Sequence, residues 1–180
     1  MDNRLYCPSC DEVRDVIIKT EIESYPVKNE PTEIEAQVTY CKHCGEQIWN
    51  EALDPENLKT AYRKYRVEHG LLQPEEIKSI REKYALTQTA FAKILGLGEK
   101  TIARYETGSL QDLAQNNLIE LAMLPEAFAH LLQKGRTRIS EHEYERALAA
   151  LQKMKSWKRS KCWIQLRAKQ YSHNLTGKLS

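Results

Sequence analysis

The sequence predicts an α+β fold, in which a small β-hairpin or ribbon domain precedes a series of short helices. Three observations predict it: two CxxC pairs near the N-terminus, a period-two alternation of apolar residues between them, and helical spacing with capping residues over most of the remaining chain. We expect a metal-binding β domain at 1–53, a connecting helix at 54–73, a helical domain at 74–134 and a helical, basic extension at 135–180.

Two alternating segments predict the hairpin. Residues 16–23 alternate as a half-buried strand does, and four of them share one face: Val16, Ile18, Thr20 and Ile22. Residues 32–40 alternate more cleanly, with four inward positions: Ile34, Ala36, Val38 and Tyr40. The linking YPVKNEP has turn chemistry, so a hairpin centred near residue 28 brings the two CxxC pairs to the same end, and a short strand is predicted in EQIWN.

Four cysteines then predict one metal site: Cys7, Cys10, Cys41 and Cys44. Each CxxC turn offers two thiolates, and two such turns complete the tetrahedron of four sulfurs that is typical of a single structural Zn²⁺ ion. The separation between the pairs exceeds the usual spacing of about 15 to 20 residues, but the hairpin accounts for the extra length. The first domain is therefore expected to be zinc-bound, and its closed site would fold the domain without activating water.

Three other interpretations compete with zinc. A thioredoxin-like redox CxxC requires a βαβ context and would use only one pair, and disulfides require an oxidising compartment. His43 could replace one cysteine, but four thiolates already satisfy the metal, so a surface position is expected for it. The remaining Cys162 belongs to no recognisable constellation.

Charge and hydropathy limit the partners and the location. No run of about 18 apolar residues is present and the N-terminus lacks a signal-peptide pattern, so we expect a cytoplasmic protein without a membrane partner. Residues 1–50 carry ten acidic against five basic side chains, whereas residues 151–180 carry eight basic and no acidic ones. The acidic N-terminal region suits a basic protein partner, and the basic C-terminal region suits a polyanion. Charged runs of this kind are, however, often only solvated surface.

The connecting helix and its successors are predicted from caps and periodicity. Residues 54–70 begin with Asp-Pro and end in Gly70, which predicts a capped helix with one packing face and one polar face. The packing stripe comprises Leu58, Ala61, Tyr62 and Tyr65, and the face toward water or a polyanion comprises Lys59, Arg63, Lys64 and Arg66. Further helices are expected at 74–85, 87–96, 98–108, 112–124, 125–135 and 140–156. The last starts with a capping box, Ser140 with Glu143.

Residues 85–108 predict a helix-turn-helix. Two short helices joined by a glycine-bearing turn leave one apolar face and one polar face, and five polar residues are candidates for DNA contact: Gln88, Glu99, Lys100, Thr101 and Arg104. Arg104 can bond guanine bidentately, and Gln88 is placed to bond a phosphate beside helix-terminal amides. A helical bundle that touches no nucleic acid explains the spacing equally well.

The segment LTQTAFAKILGLGEKTIARYETG resembles the helix-turn-helix of the lambda-repressor/Cro (XRE) class, through Thr87-Gln88, Ala92, Gly96, Ile102 and Tyr105-Glu106-x-Gly108. The chain also resembles the MqsA/YgiT-type antitoxins over roughly residues 5–130, because its motifs follow in the same order: the two CxxC pairs, then PEEIKSIREKYALTQ, then RYETG. This resemblance implies a lambda-repressor-like domain, a homodimer that binds operator DNA and represses its own operon, and a zinc domain that neutralises a protein toxin, in better-known members an mRNA-cleaving ribonuclease.

The chain departs from the family pattern at three places. Asp11 follows the first cysteine pair where the family often has glycine, and Lys100 stands where close members use an asparagine for base readout, so the operator sequence cannot be carried over. Residues 135–180 extend past the compact antitoxins. Arg104 does match the family's DNA-contacting arginine. Two other functions remain open at this point: a stand-alone zinc-stabilised transcription regulator, and an enzyme that uses Cys7 or Cys10.

Overall fold

The computed structural model describes residues 4–157, which form four strands and seven α-helices. The strands are β1 (Arg4–Cys7), β2 (Glu12–Val27), β3 (Glu30–Cys41) and β4 (Gln47–Ile48). The helices are α1 (Asp54–Glu68), α2 (Pro74–Lys83), α3 (Gln88–Leu95), α4 (Thr101–Glu106), α5 (Leu113–Leu121), α6 (Pro125–Gly135) and α7 (Glu141–Trp157), with a 3₁₀ turn at Arg136–Arg138. The predicted α+β class is confirmed. Most of the basic tail, with Cys162, lies outside the described residues.

The strands form one antiparallel sheet in the order β1-β2-β3-β4. The β2–β3 hairpin turns at Lys28 and Asn29, whose φ angles of 47° and 68° suit the two-residue turn that matches strand twist. This confirms the hairpin predicted near residue 28. The structure adds β1 and extends β2 in both directions beyond the predicted 16–23, because pairing with β1 and with the start of β3 continues the ladder through residues that do not alternate.

Helix α1 covers one face of this sheet. The core there joins strand residues to helix and loop residues: Val27, Ile34, Ala36, Val38, Ala61, Tyr65 and Leu71. The predicted inward positions of β3 are therefore buried, except Tyr40, which is only half-buried. Ile18 and Ile22 of β2 share a face as predicted, but it is the face that α1 does not cover, so they are 45% and 63% exposed.

The outer edge of β3 is capped by side chains from α1. The Asn57 side-chain amide accepts a hydrogen bond from the Gln37 N–H (3.1 Å) and donates one to the Gln37 carbonyl (3.0 Å). Further along, the Lys64 ammonium donates to the Glu33 carbonyl. These bonds satisfy main-chain groups that β4, only two residues long, does not reach.

Two side chains of α1 differ from the predicted helix faces. Arg66 was expected to face water or a polyanion, but it is only 2% exposed and donates to the Gly108 carbonyl (2.6 Å). Burial lowers the pKa of this guanidinium, which nevertheless stays cationic because an arginine pKa is so high. Leu58 was expected to pack and is instead 41% exposed, because the part of α1 that meets the sheet is centred on Ala61 and Tyr65.

A buried polar network binds the loop after α4 and the start of α5 to the segment between α1 and α2. Gln111 donates to the Leu72 carbonyl (2.7 Å), and the Leu72 N–H donates to the Asn116 side-chain oxygen (2.8 Å). From the hairpin turn, the Lys28 ammonium donates to the Gln111 carbonyl (2.8 Å). Among the described residues, 104–116 therefore form one compact unit with 4–77, and 78–103 form a second unit with 117–157. The functional boundaries predicted from the sequence stay a prediction.

The second compact unit is built around stacked aromatic rings. Phe128 of α6 is fully buried, with its ring centroid 3.6 Å from that of Tyr84 and 6.0 Å from that of Phe91 in α3. The predicted capping box of α7 is present, because the Glu143 carboxylate accepts from both the Ser140 N–H and its hydroxyl. No helix among the described residues is long and apolar enough to cross a membrane.

Candidate functional site

Two chain turns position the four cysteines of the N-terminal pairs. The first follows β1, where the Cys10 N–H donates to the Cys7 carbonyl (3.2 Å). The second follows β3, where the Gly45 N–H donates to the Cys41 carbonyl (2.9 Å). Gly45 has a φ of 77°, which glycine adopts without strain. Strand β1 ends opposite Glu12 and β3 ends opposite Val16, so both turns lie near the start of β2, at the same end of the sheet.

The four sulfur atoms form one cluster. All lie within 4.8 Å of one another, with Cys7 Sγ 3.5 Å from Cys44 Sγ and Cys10 Sγ 3.9 Å from Cys41 Sγ. A tetrahedron with Zn–S bonds of about 2.3 Å has sulfur–sulfur edges of about 3.8 Å, so the cluster can hold a metal ion such as zinc. Disulfides need sulfurs about 2.05 Å apart, and these four cysteines are free thiols.

The thiols of this cluster differ strongly in acidity. Burial, followed by hydrogen bonds to the other cysteines, raises the pKa of Cys10 to about 12. Hydrogen bonding to the backbone of Cys44 lowers the pKa of Cys41 to about 7. Four thiolates in so small a volume repel one another and require a cation to offset their charge.

The cluster lies at the edge of a small apolar core, with Cys7 and Cys41 buried, Cys10 half-buried and Cys44 exposed. Val16 and Ile48 are buried beside Cys7 and Cys41. His43 is exposed, as predicted, with Nδ1 3.6 Å from Cys10 Sγ, at the distance of a weak hydrogen bond to a ligand sulfur. A metal bound by all four sulfurs would have no coordination position left for a substrate or water, so this arrangement suits folding rather than catalysis.

Helix α3 begins the candidate DNA-binding segment. Thr87 caps it by accepting a hydrogen bond from the Ala90 N–H (3.1 Å), and Gly96 ends it with a φ of 72°. Thr87 also donates to the Glu143 carboxylate (3.0 Å), so the cap is tied to α7. Gln88 is the first residue of α3 and is half-buried. These features are those of the first helix expected for a helix-turn-helix.

The second helix of this segment is shorter than predicted. It runs over α4 alone, because the Thr101 N–H donates to the Gly98 carbonyl (2.9 Å) and keeps the preceding residues in a turn. Lys100 therefore precedes the helix, and both Lys100 and Arg104 are exposed. Thr101 is half-buried, and Glu99 is paired with Lys93 (3.0 Å). Of the five predicted residues, Arg104 belongs to the first compact unit and the other four to the second.

Comparison with models of known protein families gives a match over most of the chain. A family model described as the antitoxin component of a bacterial toxin-antitoxin system, MqsA, matches residues 5–136. The matched range contains the four clustered cysteines and helices α1 to α6, and it ends before α7 begins. The search of curated proteins found no match.

Proposed function

Since the chain belongs to the MqsA antitoxin family, as its resemblance predicted, we propose that it neutralises a protein toxin by direct binding and represses transcription as a DNA-binding homodimer. The chain is the antitoxin of a bacterial toxin-antitoxin system, and an antitoxin implies a toxin partner. Its family consists of antitoxins rather than enzymes, so the prediction of an antitoxin that is not an enzyme is confirmed.

The observation that carries the proposal is the four-sulfur cluster at the base of the sheet. Sulfurs within 4.8 Å of one another suit one structural Zn²⁺ ion, held by Cys7, Cys10, Cys41 and Cys44. Such an ion fixes β1 to β3 and thereby the strands between the two turns. The rigid sheet then offers the toxin a preformed surface, and its acidic character suits a basic partner such as a ribonuclease. Reduced thiols fit a cytoplasmic location.

Co-expression tests the antitoxin–toxin pair. The toxin encoded beside the antitoxin should stop bacterial growth when expressed alone, and growth should resume when this chain is expressed with it. The two purified proteins should co-elute from a size-exclusion column. Growth that stays arrested, together with separate elution, would show that the chain does not neutralise that toxin by direct binding.

The second role rests on the exposed basic residues of the helix-turn-helix. Lys100 and Arg104 are exposed, and an arginine near a recognition helix can bond guanine or phosphate. A phosphate is also the expected partner of Gln88 at the start of α3. A homodimer would present two recognition helices about 34 Å apart to successive major grooves. Thr101 and Glu99 would lie beside these contacts.

Replacing Arg104 with Ala tests the DNA interface. We expect operator binding to weaken by about 1 to 3 kcal/mol if the side chain reads a base, with little change on unrelated DNA. A uniform loss on all duplexes would assign the side chain to phosphate contact instead. The measurement is a fluorescence-anisotropy titration of the full chain with the promoter duplex and a scrambled duplex.

Arg63→Ala is the matched control for this experiment. Arg63 is also an exposed helical arginine, and the sequence placed it on a face toward water or a polyanion. Its guanidinium is paired with Glu75 at the surface, so its loss should change neither the fold nor the DNA affinity appreciably. Equal affinities of Arg104→Ala and the unmodified chain for both duplexes would place Arg104 outside the interface.

A further inference from the structure

The face of the β2–β3 hairpin that lies opposite α1 has an unusual composition. Register pairs Ile18 with Thr39, Thr20 with Gln37, and Ile22 with Glu35. The β2 side of this face is thus an apolar ridge, and the β3 side is polar, with Glu33 and Glu35 both exposed. Two exposed isoleucines at 45% and 63% expose apolar area on a strand that is otherwise rich in charged residues.

The acidic character of this face is not neutralised by the lysine that borders it. Lys64 lies beside it across the edge of β3, where Ile22, Glu33, Glu35 and Lys64 line an open depression of about 510 Å³. The Lys64 ammonium, however, donates to the Glu33 carbonyl and lies 3.8 Å from the Glu68 carboxylate. The two exposed carboxylates therefore remain available to a basic partner, in keeping with the net negative charge of residues 1–50.

The mode of binding follows from the capped edge of β3. A partner strand cannot be added along this edge, since Asn57 already bonds both main-chain groups of Gln37 and Lys64 bonds the Glu33 carbonyl. A protein partner therefore has to contact the side chains on the face of the hairpin that lies opposite α1. Covering an isoleucine side chain removes apolar area from water, which favours binding, so the two partly exposed isoleucines form an apolar anchor.

We propose that Ile18, Thr20, Ile22, Glu33 and Glu35 form the toxin-binding surface, and that the toxin meets it with a basic surface that carries an apolar patch. This inference rests on the proposed function, in which the toxin is bound directly. The apolar ridge supplies affinity, and the glutamates orient the basic partner and speed its approach.

Replacing Ile22 with Arg tests this surface in the full chain. The substitution puts a cation of the partner's own sign at the most exposed isoleucine of the ridge, so toxin affinity should fall about tenfold or more, as it does when an interface anchor is lost. Isothermal titration calorimetry of the purified toxin with each variant measures this affinity. Val67→Arg is the matched control, because Val67 on α1 is 56% exposed and lies outside the ridge. Unchanged melting temperatures of both variants verify the fold.

Each result is decisive. Loss of binding by Ile22→Arg with normal binding by Val67→Arg supports the surface. Normal binding by both variants overturns the surface while the direct binding of the toxin stands. A toxin that the unmodified chain does not bind overturns the proposed function itself. A variant that binds toxin normally but loses dimerisation in light scattering would assign the ridge to contact between two copies of this chain, and would also overturn the proposal.

Discussion

Cys41→Ser should abolish tight metal binding and unfold the metal end of the sheet. Cys41 is 1% exposed, and its sulfur faces Cys10 Sγ at 3.9 Å, so a serine hydroxyl cannot replace it as a soft ligand. Binding of a structural zinc ion contributes about 10 to 16 kcal/mol in zinc-finger peptides, and most of that contribution depends on four complete ligands. Metal content by elemental analysis and thermal melting by circular dichroism measure the two effects.

Ser9→Ala is the control for the cysteine substitution. Ser9 lies exposed in the first CxxC turn, so its loss should leave one zinc ion per chain and an unchanged melting curve. A Cys41→Ser protein that retains one tightly held zinc and melts like the unmodified chain would show that the four cysteines are not the ligand set.

The same substitution should also weaken operator binding. Residues 104–116 form one compact unit with the sheet, and Arg66 and Lys28 donate directly to carbonyls of the loop that follows α4. Loosening the sheet should therefore disturb the end of the helix that carries Arg104. The second unit has its own aromatic core, so its unfolding should remain visible as a separate thermal transition in the circular-dichroism melting curve of Cys41→Ser. If Cys41→Ser bound the operator as tightly as the unmodified chain, DNA binding would be independent of the metal-bound sheet.

Phe128→Ala should lower the free energy of unfolding of the helical unit by about 3 to 5 kcal/mol. The ring is fully buried and stacks on Tyr84 at 3.6 Å, so truncation leaves a cavity between α3 and α6 that these short helices cannot readily close. Urea denaturation of the full chain, followed by circular dichroism, measures the loss. Toxin binding should survive at urea concentrations where operator binding has gone, because the sheet lies in the other unit.

Leu148→Ala provides the matched comparison. Leu148 lies on α7 and is 39% exposed, so its truncation should cost well under half as much as that of Phe128. Equal losses for the two variants would mean that the aromatic stack does not form the core of the unit.

Features of this fold that depend on local sequence could be predicted. The hairpin turn at residues 28 and 29 and the capping box of α7 each arise from residues close in sequence. The convergence of the two CxxC pairs could also be predicted from the sequence, because a hairpin brings the end of its second strand beside the start of its first. Their role as ligands stays a prediction.

Features that depend on distant contacts could not be predicted. Alternation showed that Ile18 and Ile22 share a face, but only the position of α1 decides which face is covered. Periodicity placed Arg66 on a polar face, whereas its partner at Gly108 lies 42 residues away in sequence. Strand β1 has four residues and no alternation of its own, so it exists only because β2 pairs with it.

The discontinuity of the first compact unit has a consequence for synthesis of the protein. The ribosome completes residue 77 about 40 residues before residue 116, a delay of roughly 2 to 8 s at common elongation rates. During that interval Arg66 and Leu72 lack the carbonyl and amide partners that they have in the finished fold. In a nascent chain the bonds of Arg66 and Leu72 therefore form only after the candidate helix-turn-helix segment has been translated, so the segment around the end of α1 gains its last partners late in synthesis.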